Sequence, residues 1–172
     1  MENEAHFRQS TLRERIVEHV FIGDALRLFW QRGITDVEVL RSEFDAHGYD
    51  LVMARGLTVR HIQFKTGTKK PVKVSVAQAL ADKPSGCVIF IMVTPVLELG
   101  PFYWFGDAPG KPLPDIAGFP NPRRATHNKA GVRPLRQNHR EVAASQFTVV
   151  SSFPGILEKL FGSLPDQGIP RE

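Results

Sequence analysis

Apolar positions along the chain change period near residue 33. Between 11 and 32, Ile16, Val17, Val20, Phe21, Leu28 and Phe29 recur at helical spacing. The spacing predicts a helix over 11–32, capped by Thr11 with Glu14 as its capping-box partner and ended by Gly33. Three strand-like runs follow, 37–44, 49–55 and 59–66. The last two are separated only by a short turn at Gly56 and form a hairpin. Residues 74–82 predict a short helix, broken by Pro84, Ser85 and Gly86. The unbroken apolar run 87–94 fits a strand inside a sheet, and 102–106 a further one. From 107 the pattern is lost: seven of the 13 prolines lie between Pro101 and Pro134, marking an irregular excursion. Residues 147–152 return as a strand, 156–161 as a helix closed by Gly162, and the tail from Pro165 frays.

This order predicts an α/β domain, a mixed sheet flanked by helices. One domain would span 1–172, with a core at about 11–106, an irregular basic segment at about 107–145, and a terminal strand and helix at about 146–162. Apolar residues make up 42% of the 172, enough for a core, and charged residues 23%. Residues 1–10 carry no apolar leader core, and no run reaches the ~18 apolar residues that a membrane span needs. A soluble, cytoplasmic protein is expected. The single cysteine, Cys87, excludes an internal disulfide and reads as a buried strand residue.

The hairpin carries the candidate chemistry. A two-residue turn at Gly56 and Leu57 pairs Arg55 with Thr58 and, counting outward, sets Asp50 opposite Gln63. Lys65 is two residues from Gln63 and shares its face. Phosphodiester hydrolysis uses a hard divalent metal, which takes oxygen ligands. Asp50 offers a charged ligand, Gln63 a neutral oxygen, and the Phe64 carbonyl a further oxygen. Lys65 can hold the attacking water or balance charge on the phosphate.

The run Gly48-Tyr49-Asp50-Leu51-Val52, followed thirteen residues after Asp50 by Gln63-Phe64-Lys65-Thr66, resembles the PD-(D/E)XK nuclease superfamily. That group includes restriction enzymes and archaeal Holliday-junction resolvases. The resemblance covers about 11–94 and implies a restriction-endonuclease-like core in the order α-β-β-β-α-β. It also implies a DNA endonuclease dependent on Mg²⁺ or Mn²⁺, with Asp50, Gln63 and Lys65 catalytic. Two positions depart from the pattern. Gln63 replaces the usual acid, lowering the negative charge by one, and Tyr49 replaces the usual proline. The family often adds a carboxylate from the first helix, about ten residues before its closing glycine. Asp24 fits that place first. Glu18, which also reads as a surface partner of Arg15 or His19, comes second.

The chain has 22 Lys+Arg against 18 Asp+Glu, a formal charge of +4. The mild excess permits a polyanionic partner. Lys69, Lys70 and Lys73 either contact phosphate or solvate a loop. The densest basic stretch holds Arg123, Arg124, Lys129, Arg133, Arg136 and Arg140 and resembles a phosphate-contacting arm. His127 and His139 lack a second Cys/His set for zinc. Phe102, Trp104 and Phe105 read as core rather than base-stacking residues. No phosphate-binding loop, dinucleotide fingerprint or serine-nucleophile motif is present. The sequence therefore supports a metal-dependent nuclease, with a non-cutting nucleic-acid or protein binder of the same fold as its rival. A homodimer is compatible with either.

Overall fold

The computed structural model describes residues 9–44 and 47–166. The segment 1–8 and the tail from 167, both subjects of expectations above, lie outside the described residues.

Helix α1 covers Ser10–Gln31. Its N-cap is Gln9, with no side-chain cap, so the expected Thr11 capping box is not formed; Thr11 already lies inside the helix. The C-terminus follows the sequence closely. Gly33 takes φ +70°. Its N–H donates to Trp30 O at 3.0 Å and Ile34 N–H to Phe29 O at 2.8 Å, the paired bonds of a Schellman stop. Val17, Phe21, Ala25 and Phe29, spaced by four, are buried on one side.

Strands β1 (Val37–Arg41), β2 (Leu51–Arg55) and β3 (Thr58–Gly67) form the expected meander. Strand β1 stops short of residue 44. The β2–β3 hairpin has the register read from its turn: Arg55 faces Thr58 and Leu51 faces Ile62. Next, β4 (Lys73–Ala77) runs into a 3₁₀ turn, Gln78–Asp82. The expected helix over 74–82 is therefore corrected to a strand and one tight turn. Val74 and Val76 are buried while Lys73 is exposed and Ser75 half-buried, a two-residue alternation that overrides the helix-forming Ala and Leu after it.

Strand β5 (Gly86–Val93) pairs in parallel with β3, and β6 (Leu99–Phe105) pairs antiparallel with β5. After β7 (His139–Ala143), the short β8 (Thr148–Val150) joins β6, and helix α2 (Phe153–Phe161) closes the described fold. The main sheet runs β1-β2-β3-β5-β6-β8, and β4-β7 is a separate two-stranded sheet.

The two faces of the main sheet differ. Leu51, Met53, Ile62, Cys87, Ile89 and Ile91 meet residues of both helices in one core. Val88, Tyr103 and Phe105 meet Val74, Val76, Leu80, Leu113, Ile116 and Val142 in another. Helices thus cover one face only; the second is roofed by the small sheet and the 113–119 segment. Trp104 and Phe102 are buried in the first core and Phe105 in the second, as strand aromatics should be. The 120–141 segment is less irregular than its prolines imply. Its legs are tied by Glu141 N–H to Pro120 O, Arg136 N–H to Pro122 O and Arg124 N–H to Pro134 O, at 2.7–2.8 Å. Asn128 turns the tip by accepting from the N–H groups of Ala130 and Val132.

Arg60 is the largest fully buried side chain. It shares the helix-side face of β3 with Ile62. Its Nε donates to Leu160 O at 2.8 Å, and one terminal nitrogen donates to Asp107 O and Lys159 O at 2.8 and 3.1 Å. The guanidinium centre is 5.3 Å from the Trp104 ring centroid. A cation at the carbonyl end of α2 satisfies acceptors that helix geometry leaves open. Burial pulls its pKa below the ordinary arginine value. Burial also pushes the nearby Cys87 thiol up to about 12, which removes thiolate chemistry. Arg60→Met should strand the α2 carbonyls and lower unfolding free energy by about 2–4 kcal/mol. Urea denaturation measures it, and a loss below ~0.5 kcal/mol would deny Arg60 that role.

Candidate active site

The candidate site lies on the second face of the main sheet, where β2 begins. The β2–β3 ladder ends at Leu51 and Ile62. One residue earlier the chain slips out of strict register: Asp50 N–H donates to Ile62 O at 2.9 Å. The Asp50 carboxylate then accepts from Phe64 N–H at 2.7 Å through Oδ2. A side chain thus does what a strand carbonyl would otherwise do, which fixes the carboxylate beside Gln63 and Lys65. The expected face-to-face pairing of Asp50 with Gln63 is replaced by this arrangement.

Asp50, Gln63 and Lys65 all line one cleft of about 500 Å³. Gln63 is only 5% exposed, and its Oε1 accepts from Ala77 N–H at 3.3 Å. The β4 end is pressed against the start of β2 here. Gly48 has φ +73°, and a Cβ on it would overlap that of Ala77. The remaining walls come from the 3₁₀ turn, from 115–117 and from Arg136, Asn138 and His139. Arg136 donates to His139 Nε2 at 2.8 Å, and Gln78 N–H donates to Asn138 O at 2.9 Å.

Asp50 and Lys65 also border a second cleft of about 370 Å³, with Thr11, Glu14 and Glu18 of α1 on its other side. Glu18 is buried and held by Arg41, through Nε at 2.8 Å and a terminal nitrogen at 2.7 Å, with Arg15 at 3.5 Å. Asp24 borders neither of these clefts and is ion-paired with Arg27. Among the described residues, no three His, Cys, Asp or Glu side chains stand together as a metal cage.

Of the arm and loop basic residues singled out in the sequence, Arg136 is the one that lines the same cleft as Asp50. Lys69 and Lys70 are exposed after β3, and Lys73 is ion-paired with Glu141 at 2.9 Å. Arg123 donates to Arg133 O, while Arg140 donates to Gln137 O and His139 O. Arg124, Lys129 and Arg133 are exposed on the arm. Sequence reasoning missed Asp82 and Asp115 as wall residues; they lie outside the hairpin motif and arrive only through tertiary packing.

His61 shares the face of Gln63 and Lys65, edge-on to Tyr49 at 4.9 Å between ring centroids. Its Nδ1 is buried with no hydrogen-bond partner among the described residues. Lys83 lies 5.3 Å over the Tyr49 ring. Burial, then the Lys83 charge, lowers the His61 pKa below its ordinary 6.5. The unfolded chain therefore takes the proton first as pH falls. His61 contributes stability above about pH 6.5 that is lost on acidification toward its folded pKa. His61→Gln should lose less stability than the wild type between about pH 7 and about pH 5, read from denaturant midpoints. Equal losses would exonerate His61. Gly48→Ala combines a disfavoured backbone angle with the Ala77 overlap and should cost about 2–4 kcal/mol. A thermal midpoint within about 2 °C of the wild type would show that β4 is not pressed so closely.

No protein-family model matches the chain, and no curated protein matches it. Among solved structures, it is similar to Archaeoglobus fulgidus Hjc, a Holliday junction resolvase from an archaeal hyperthermophile. The identity is 15% over 48% of this chain and 73% of that chain, with a TM-score of 0.34. At that identity and score the likeness leaves activity and substrate open.

Proposed function

We propose that this protein is a divalent-metal-dependent nuclease that hydrolyses phosphodiester bonds of DNA. The observation that carries the reading is the convergence of Asp50, Gln63 and Lys65 on one cleft wall. An acid, an amide and a cation in one cleft supply a metal ligand, a neutral oxygen and a positive charge for a phosphate.

The donor set fits magnesium better than a fully caged ion. Magnesium keeps several waters and accepts one or two carboxylates plus substrate oxygens. Asp50 supplies the carboxylate. The Gln63 oxygen has two lone pairs, and Ala77 N–H occupies one. The Phe64 carbonyl is the further oxygen within the motif. Glu18 is preferred to Asp24 as the helix acid, because it shares the second cleft with Asp50 and Lys65. When bound, the ion lowers the pKa of water and neutralises charge on the phosphate.

The chain's own residues do the rest. Asp50, locked by Phe64 N–H, is pre-aimed and loses little entropy on binding. Lys65 places its ammonium where charge grows on the phosphate oxygens and can donate to the attacking water. Gln63, nearly buried, stays fixed under Ala77.

Binding without cleavage is the second reading, favoured by the neutral Gln63 and the absence of a three-carboxylate cluster among the described residues. Incubation with plasmid or linear DNA and Mg²⁺ or Mn²⁺ separates the two. The nuclease reading expects cutting that Lys65→Ala slows by about 10²–10³-fold. Gln63→Glu, which restores a charge, should tighten Mn²⁺ binding at least about tenfold by calorimetry. Cutting that survives Lys65→Ala would falsify the proposed role of the lysine. DNA binding without any cutting transfers the case to the second reading.

A further inference from the structure

We infer that the cleft accepts an unpaired DNA strand rather than an intact duplex. The inference rests on the nucleic-acid reading above and adds the form of the substrate. Three features of the site carry it.

The first is the roof. Gln63 is 5% exposed, with the end of β4 on it: Ala77 N–H donates to its Oε1, and Gly48 packs closely against Ala77. On the side of the small sheet, Asp50 and Lys65 are therefore reached through the cleft. The second is the continuity of the wall. Ala77 and His139 are facing partners at the end of the β4–β7 ladder, and the Gln78–Asn138 bond extends the join into the 3₁₀ turn. The small sheet and the turn thus form one barrier beside the three residues. The third is size. The cleft holds about 500 Å³. Pockets of roughly 300–1,000 Å³ hold drug-sized molecules, the scale of one nucleotide. A duplex brings its second strand with every phosphate, and that strand would meet the β4–β7 barrier. An unpaired strand brings one phosphate and one sugar.

Arg136 gives the strand a fixed grip. Its guanidinium has five N–H donors, and His139 Nε2 takes one and orients the group. A fork held on the cleft wall suits a phosphate. The exposed Arg124, Lys129 and Arg133 lie further along the same arm, where they meet the flanking nucleotides through salt-sensitive contacts.

The test uses the whole chain in EDTA, so that nothing is cut, and follows fluorescence anisotropy. The probes are a labelled oligothymidylate of about 16 nucleotides and a blunt duplex of equal length. The single strand is expected to bind at least about tenfold more tightly. Arg136→Ala should remove about tenfold of single-strand affinity and leave duplex affinity within about twofold, while Arg136→Lys restores part of it. Thermal melting of each variant separates lost grip from lost fold. Equal or tighter duplex binding overturns the inference and leaves the nuclease reading standing. No binding of either probe removes the nucleic-acid reading itself, and this inference with it.

Discussion

Strand β3 lives in two environments at once, and everything else is arranged around that constraint. Its even residues Arg60, Ile62 and Phe64 face the helices; its odd residues His61, Gln63 and Lys65 face the other way, and Gln63 and Lys65 line the cleft. The alternation is fixed by backbone geometry. It lets one ten-residue strand cap helix α2, fill a core and supply two of the three site residues. Parallel pairing with β5 on one side and antiparallel pairing with β2 on the other hold it in the middle of the sheet. A one-residue slip would bury Lys65 among aromatics and turn Ile62 into the cleft.

The parts of this design that are local in the chain were legible in the sequence. The hairpin register follows from a two-residue turn as far as Leu51 and Ile62, so the shared face of Gln63 and Lys65 could be counted out, whereas the seat of Asp50 is set by its bond from Phe64 N–H rather than by direct pairing with Gln63. The Gly33 stop is equally local. Where sequence reading went astray, competing local signals were close to balance. Over 74–82 a Val-Ser-Val alternation met a helix-forming Ala-Gln-Ala-Leu run, and pairing with a strand some sixty-five residues later decided the matter.

Other features could not be read because their causes lie far along the chain. Arg60 looks like a surface strand residue until the carbonyls of Lys159 and Leu160 are brought to it across about a hundred residues. The roof over Gln63 and the wall at Arg136 are of the same kind. Glu18 and Asp24 sit on one helix with similar neighbours in sequence, yet Arg41 on β1 draws only Glu18 inward. The arm at 120–141 shows the converse. Its prolines suggested disorder of form, but proline carbonyls accept bonds well, and Pro120, Pro122 and Pro134 are the rungs that tie its two legs.

An open sheet has two raw margins, and this one blunts each differently. Strand β8 has three residues, followed two residues on by helix α2 with a proline in its first turn. So short a fringe offers few main-chain groups to a foreign strand. At the opposite margin β1 is longer, but Glu38 and Arg41 stand exposed along it and resist stacking by another chain. Brevity at one border and charged side chains at the other both work against pairing with a further strand.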